Sequence, residues 1–180
     1  QAKNASFDAT LAYGYELCGA EQGVGGNRTL RGGPHDPLVS VIAVKDEDGC
    51  VRGVFANYTL HPTFIHEWSD VVTADYPGYI RQEIAQHAPD AVFGFAQGAS
   101  GNQSSRYYRT GESFDEAERV GRLLGSAAMR VVAQGAYQSE IRLSAATSAV
   151  EPIIRAFGEE AELERRVAND RAVYDDLYAR

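Results

Sequence analysis

A change of hydrophobic period near residue 75 is the feature that most constrains the fold. LVSVIAV (38–44) and VRGVFANYTL (51–60) are β-rich runs, and KDEDGC between them carries an Asp-Gly pair, a strong hairpin-turn signal. From Asp75 the pattern turns helical: Tyr76, Tyr79, Ile80, Ile84 and Ala88 recur at helical spacing. Pro77 is acceptable in the first turn of that helix, and Asp75 is placed to cap it. AVFGFA (91–96) reads as a short buried strand. Ser113-Phe-Asp-Glu116 then has the capping-box pattern, with Ala117, Val120, Leu124, Ala127 and Val131 as the apolar stripe of a long helix. This order predicts an α/β fold, a mixed sheet with flanking helices.

The two ends are less patterned. Residues 1–37 are Gly-rich and weakly periodic, with GVGGN (23–27) and GGPHDP (32–37) as loop signals. Residues 140–146 and 149–157 read as strand or extended pieces. A charged amphipathic helix follows from about 158, with Leu163, Val167, Tyr174 and Leu177 on one side. A chain of 180 residues is long enough for one sizeable core, so one domain is expected. It opens on Gln1 without an initiator Met or a signal peptide and stops inside a helical pattern, which reads as a piece of something longer.

Charge narrows the partners. A net charge of -8 argues against nucleic-acid binding, which needs a basic face, and weakens docking on anionic lipid through a polybasic patch. No apolar run is long enough to span a bilayer. The basic residues are nearly all Arg, with Lys3 and Lys45 the only lysines, a bias that fits a GC-rich bacterial genome better than a function. Cys18 and Cys50 lack metal-binding spacing and are too few for a disulfide scaffold; whether they pair is left open.

Two loops hold the residues with chemistry to offer, each starting where an apolar strand ends. The first carries His61, His66, Asp70 and Asp75; the second carries Gln97, Ser100, Asn102, Ser104 and Arg106. His61, before Pro62, can serve as a zinc ligand or a base, or be a half-buried imidazole bonded to a backbone carbonyl. His66 is five residues on, in a loop, and does not make the i,i+4 pair of helical zinc sites. His35 and His87 read as solvated. Asp75 is a better cap than catalyst. The loop 98-GASGNQS-104 is neither a phosphate loop, lacking Lys and a following helix, nor a nucleophile elbow, its second glycine falling one residue early. It is either a plain surface loop or a long small-residue loop kept for a use.

Taken together, these segments resemble the neutral/alkaline (non-lysosomal) ceramidases and their bacterial relatives. The resemblance is carried by Asn57-Tyr-Thr-Leu-His61, Ala74-Asp75-Tyr-Pro-Gly78-Tyr79, Phe95-Ala-Gln97 and Gly101-Asn102-Gln103-Ser104. Asn27-Arg28 and Gly33-Pro34-His35-Asp36-Pro37 resemble the family's lead-in, so that the match covers about residues 23–134. It implies part of the amino-terminal domain of a zinc-dependent amidase acting on ceramide or a similar lipid amide. His61 would then be a zinc ligand, Ser104 the active-site serine, and Gly101 and Asn102 the turn presenting it. Asp75, Gln97 and Arg106 would bind substrate or support the site. It further implies contact with a membrane surface, a secreted or extracytoplasmic location, and the remainder of a parent chain as partner.

There are departures from the family pattern. Ser105 stands where the family usually has Pro, and Arg106 follows it. The family's zinc is held by two His, a Glu and a Tyr, and only His61 is matched here. Two other readings therefore stand beside the amidase: a catalytically silent α/β binding or structural module, and a metal-free serine hydrolase using Ser100 or Ser104 with His61.

Overall fold

The computed structural model describes residues 6–66, 69–152 and 158–178, side chains being described only as far as residue 171. The chain divides into two compact units, Gln1–Arg142 and Leu143–Arg180. The first is the expected α/β fold. Strands β1 (Ala9–Leu17), β3 (Leu38–Asp46), β4 (Val51–Tyr58) and β5 (Val92–Gln97) form one sheet in the order β1-β3-β4-β5. Helix α1 (Tyr76–His87) links β4 to β5, which run parallel, as a crossover must. A second ladder, β2 (Gly26–Asn27) with β6 (Gln103–Ser104), precedes helix α2 (Phe114–Gln134).

The hairpin between β3 and β4 forms at the Asp-Gly pair. Gly49 takes φ +78°, a conformation cheap only for glycine, and the Asp46 carboxylate accepts the Cys50 N–H at 2.8 Å. A register shift at Val44/Lys45 accommodates the turn. Register then decides which side chains face the helices. Ala12, Ala43, Val54 and Phe93 align across the sheet, as do Gly14, Val41, Ala56 and Phe95. This inner face packs on Ile80 and Ile84 of α1 and on Val120, Leu124, Ala127 and Val131 of α2 in one core.

β1 lies in the segment read as weakly patterned loop. Its large side chains, Tyr13, Tyr15 and Leu17, face outward and are exposed, whereas Ala12 and Gly14 face α2. A Cβ on Gly14 would lie 2.9 Å from Val131, so a bulky inner face would push α2 away. After α2 the chain returns to this edge, where Leu11 and Gln138 exchange two backbone hydrogen bonds of 2.9 Å.

Residues 140–152, read as strand or extended pieces at 140–146 and at the start of 149–157, form no named strand; residues 153–157 lie outside the described residues. Leu143 and Val150 are exposed. In the second unit, helix α3 (Glu160–Tyr178) begins close to the expected point. Its stripe is weak: Val167 is exposed, and the Arg165–Glu162 ion pair lies on the surface. Tyr174 and Leu177 have side chains outside the described set. Cys18 is buried and Cys50 exposed, and both are free thiols, so the open pairing resolves as none. Burial pushes the Cys18 thiol up to about 11.

Candidate active-site cleft

The strand end that delivers His61 is held by backbone carbonyls with side-chain partners. The Tyr76 hydroxyl donates to Leu60 O at 2.6 Å, and Gln97 Nε2 donates to Tyr58 O at 3.3 Å and Leu60 O at 3.2 Å. Tyr76 is fully buried among Tyr58, Phe64 and Phe95, with all three ring pairs edge-to-face at 5.9 to 6.5 Å. Desolvation holds its phenol well above the ordinary range, so it stays a donor. The family-like Gln97 thus fastens the base of the His61 loop and does not line the cleft.

Asp75 fastens the other end of that loop. It caps α1 as expected, Oδ1 accepting the Tyr76 N–H at 2.7 Å. Oδ2 accepts two more, from Phe64 at 2.9 Å and Ile65 at 3.0 Å. The residue is buried and sits at φ 54°, rare outside glycine, so three hydrogen bonds to a carboxylate hold a strained backbone. Its role is to fix the loop between His61 and His66 against the start of α1.

Ser104 comes from the opposite side. The Gly101-Asn102 turn brings the chain into β6, where Gln103 and Ser104 pair with Asn27 and Gly26. Asn102 accepts the Arg28 N–H at 2.8 Å and donates from its side chain to Pro34 O at 3.1 Å, the carbonyl that Asn27 Nδ2 also reaches at 2.7 Å. Gly25 and Gly26 leave room for their neighbours, which a larger residue would displace. A Cβ would fall 2.3 Å from Leu60 at the first and 2.8 Å from the Tyr108 ring at the second. These two glycines of the GVGGN loop therefore let the β2/β6 ladder lie close to Leu60, just past the end of β4.

These supports converge on a cleft of about 240 Å³ lined by Arg28, His61, Thr63, His66, Ser104, Arg106 and Arg109. His61, Ser104 and Arg106 meet there; Asp75, Gln97, Gly101 and Asn102 hold the walls from behind. Ser104 Oγ accepts the Arg106 N–H at 3.1 Å, and no hydrogen bond joins it to His61 among the described residues. His66 lies in the cleft wall, its Nε2 3.0 Å from Arg109 Nη1, which also donates to Thr63 O at 3.2 Å. Arg109 Nη2 pairs with Glu112. Asp70 is exposed and outside the cleft, and Glu67 lies outside the described residues. Ser105, at the position where Pro was expected, is fully buried with its hydroxyl unpartnered among the described residues.

Sequence reasoning missed Thr63 and Arg109 as wall residues and took Arg28 only as part of a lead-in. Arg109 was obscured because its position depends on its bond to Thr63, 46 residues away. The cleft does not by itself fit zinc. No carboxylate lines it, and no group of three or more His, Cys, Asp or Glu that could hold a metal occurs among the described residues. A tetrahedral zinc site needs three or four such donors.

No family model matches the chain, and no curated protein matches it in sequence. Solved structures do match. The chain is similar to a ceramidase complexed with C2, at 21% identity and TM-score 0.58, over 70% of this chain and 22% of that one. It is also similar to neutral ceramidase from Pseudomonas aeruginosa, at 24% identity and TM-score 0.57, over 70% and 23%. The chain thus spans less than a quarter of the length of these proteins. The mixed sheet and helices that bring His61 and Ser104 to one cleft share their fold with part of the neutral ceramidases.

Proposed function

We propose that this chain is part of a ceramidase-like hydrolase that cleaves the N-acyl amide bond of ceramide or a similar lipid amide. One observation carries the reading. His61 and Ser104 line the same cleft, on a fold shared with ceramidases, at positions the family motifs single out. His61 is proposed as one zinc ligand, the others coming from the remainder of a longer chain. Ser104 is proposed to face the substrate amide, its hydroxyl either orienting the carbonyl or sharing the proton work. The lipid would approach from a membrane surface, from a secreted or extracytoplasmic position.

A longer chain containing these residues tests this. It should hydrolyse a fluorescent ceramide and lose that activity to a chelator, with Ser104→Ala and His61→Ala each lowering kcat by about a hundredfold or more. The 180-residue chain should show no turnover and no one-to-one zinc. Activity untouched by chelator would favour the serine-hydrolase reading, and full activity in Ser104→Ala would remove that residue from the chemistry. The silent-module reading has one observation in its favour, an arginine-lined cleft without a complete metal donor set. It expects ligand binding without turnover in the longer chain too.

A further inference from the structure

In a protein with a net charge of -8, three of the seven residues lining this cleft are arginines and none is a carboxylate. The three are not equivalent. Arg109 is satisfied, tied to Glu112, Thr63 O and His66, and serves as a fixed wall. The guanidiniums of Arg28 and Arg106 have no hydrogen-bond or ion-pair partner among the described residues. Their recorded bonds are made by backbone N–H groups, Arg28 to Asn102 O and Arg106 to Ser104 Oγ. Elsewhere in the first unit Arg52, Arg119 and Arg122 each hold a carboxylate within 3.0 Å. Two arginines without a side-chain partner among the described residues thus line one cleft with Ser104, where an anion would offset their charge.

We propose that Arg28 and Arg106 form an oxyanion-binding subsite, so that the preferred ligand carries a carboxylate or phosphate close to its amide. Guanidinium forks bind such groups through paired, charge-assisted N–H donors, and a planar fork discriminates geometry as well as charge. The subsite deepens the amidase reading and rests on it for the amide, but the anion preference rests on the arginines alone. The β2/β6 ladder sets the backbone from which each arginine enters the cleft, Arg28 directly after β2 and Arg106 two residues past β6.

Binding without turnover tests it on the 180-residue protein. N-dodecanoylglycine, N-dodecanoylethanolamine and inorganic phosphate are titrated by calorimetry into the wild type, Arg28→Gln, Arg106→Gln and the double variant. The carboxylate amide should bind at least about tenfold tighter than the neutral one, with phosphate competing for it. Each single variant should lose most of that preference and the double variant all of it. Arg106→Lys, keeping the charge without the fork, should retain part of it. Circular dichroism checks that the variants fold. Equal binding of both amides, or a preference that survives in the double variant, overturns the subsite. Anion binding with no amide turnover in the longer chain would leave the subsite standing and sink the amidase; turnover of neutral ceramide with no anion preference would do the reverse.

Discussion

Asp75 shows how one side chain can be read correctly and still be underestimated. As an N-cap alone its loss would cost about 1 kcal/mol. The carboxylate also satisfies Phe64 and Ile65 across ten and eleven residues of sequence, in a buried position. Asp75→Ala should therefore cost about 3–5 kcal/mol in urea unfolding, because buried N–H groups lose a charged acceptor. A loss near 1 kcal/mol would mean that the loop bonds contribute nothing. Asp75→Asn should not rescue it, since an amide offers one acceptor oxygen where two are used. Glu116 is a second case. The capping box was expected to return its side chain to residue 113; Ser113 does accept the Glu116 N–H at 3.3 Å, but the carboxylate turns to Arg119 and Thr110 instead. Hydrogen bonds from Arg119 above all hold its carboxyl down at about 2, from an ordinary 4.5. A depressed carboxylate contributes stability that is present above about pH 4.5 and lost as pH falls through about 2. Glu116→Gln should thus be less stable than wild type at pH 7, by on the order of 2–3 kcal/mol, with the gap closing between pH 4.5 and 2. A gap constant across that range would contradict the pairing.

Between elements, α1 and α2 approach closely. Gly121 faces the start of α1, where an added Cβ would lie 2.4 Å from Tyr79 Cβ and 2.6 Å from Tyr76 O. At Gly125 it would lie 2.6 Å from Glu83 Cβ. The four-residue spacing puts both on one face, and the gap they leave lets Arg122 and Ser126 reach Glu83 at 3.0 and 3.1 Å. Propensity alone says that Gly→Ala in a helix stabilises by about 1 kcal/mol. Packing should reverse the sign here, because backbone and Cβ atoms cannot swing aside as a side-chain tip can. Gly121→Ala should destabilise by about 2 kcal/mol or more in thermal or urea unfolding, Gly125→Ala somewhat less. A stabilised Gly121→Ala would show that the helices separate freely. The stake is functional, since α1 carries Tyr76, whose hydroxyl holds the strand end before His61.

Legibility in the sequence followed whether a signal was local. The β3/β4 hairpin, α1 with its cap and α2 were readable because period, turn and cap lie within a few residues of one another. β5 was found too, but it is an edge strand with no fully buried residue and not the buried strand expected at 91–96. The positions of His61 and Ser104 in one cleft were expected from motifs, but the arginine wall was not, since β2/β6 pairing and the Arg109–Thr63 bond cross long sequence gaps. β1 escaped because its alternation points the wrong way. Its large residues lie outside and its small ones inside, so a hydrophobic pattern gives no reason to place it on a core. The same inversion leaves a mark on the whole first unit. Tyr13, Ile42 and Phe55 align in register across three strands on the outer face, 69%, 39% and 46% exposed, with Tyr15 and Leu17 beside them along β1. A contiguous apolar patch of this kind binds amphipathic dyes and favours association. The purified chain should raise the fluorescence of anilinonaphthalene sulfonate in its native state and sediment with a concentration-dependent average mass. Tyr13→Lys with Phe55→Lys should lower both, while cooperative unfolding is kept, because neither side chain reaches the core between sheet and helices. Dye binding that is unchanged in the double variant would place the exposed apolar surface elsewhere, and a loss of cooperative unfolding would mean that the outer face supports the sheet after all.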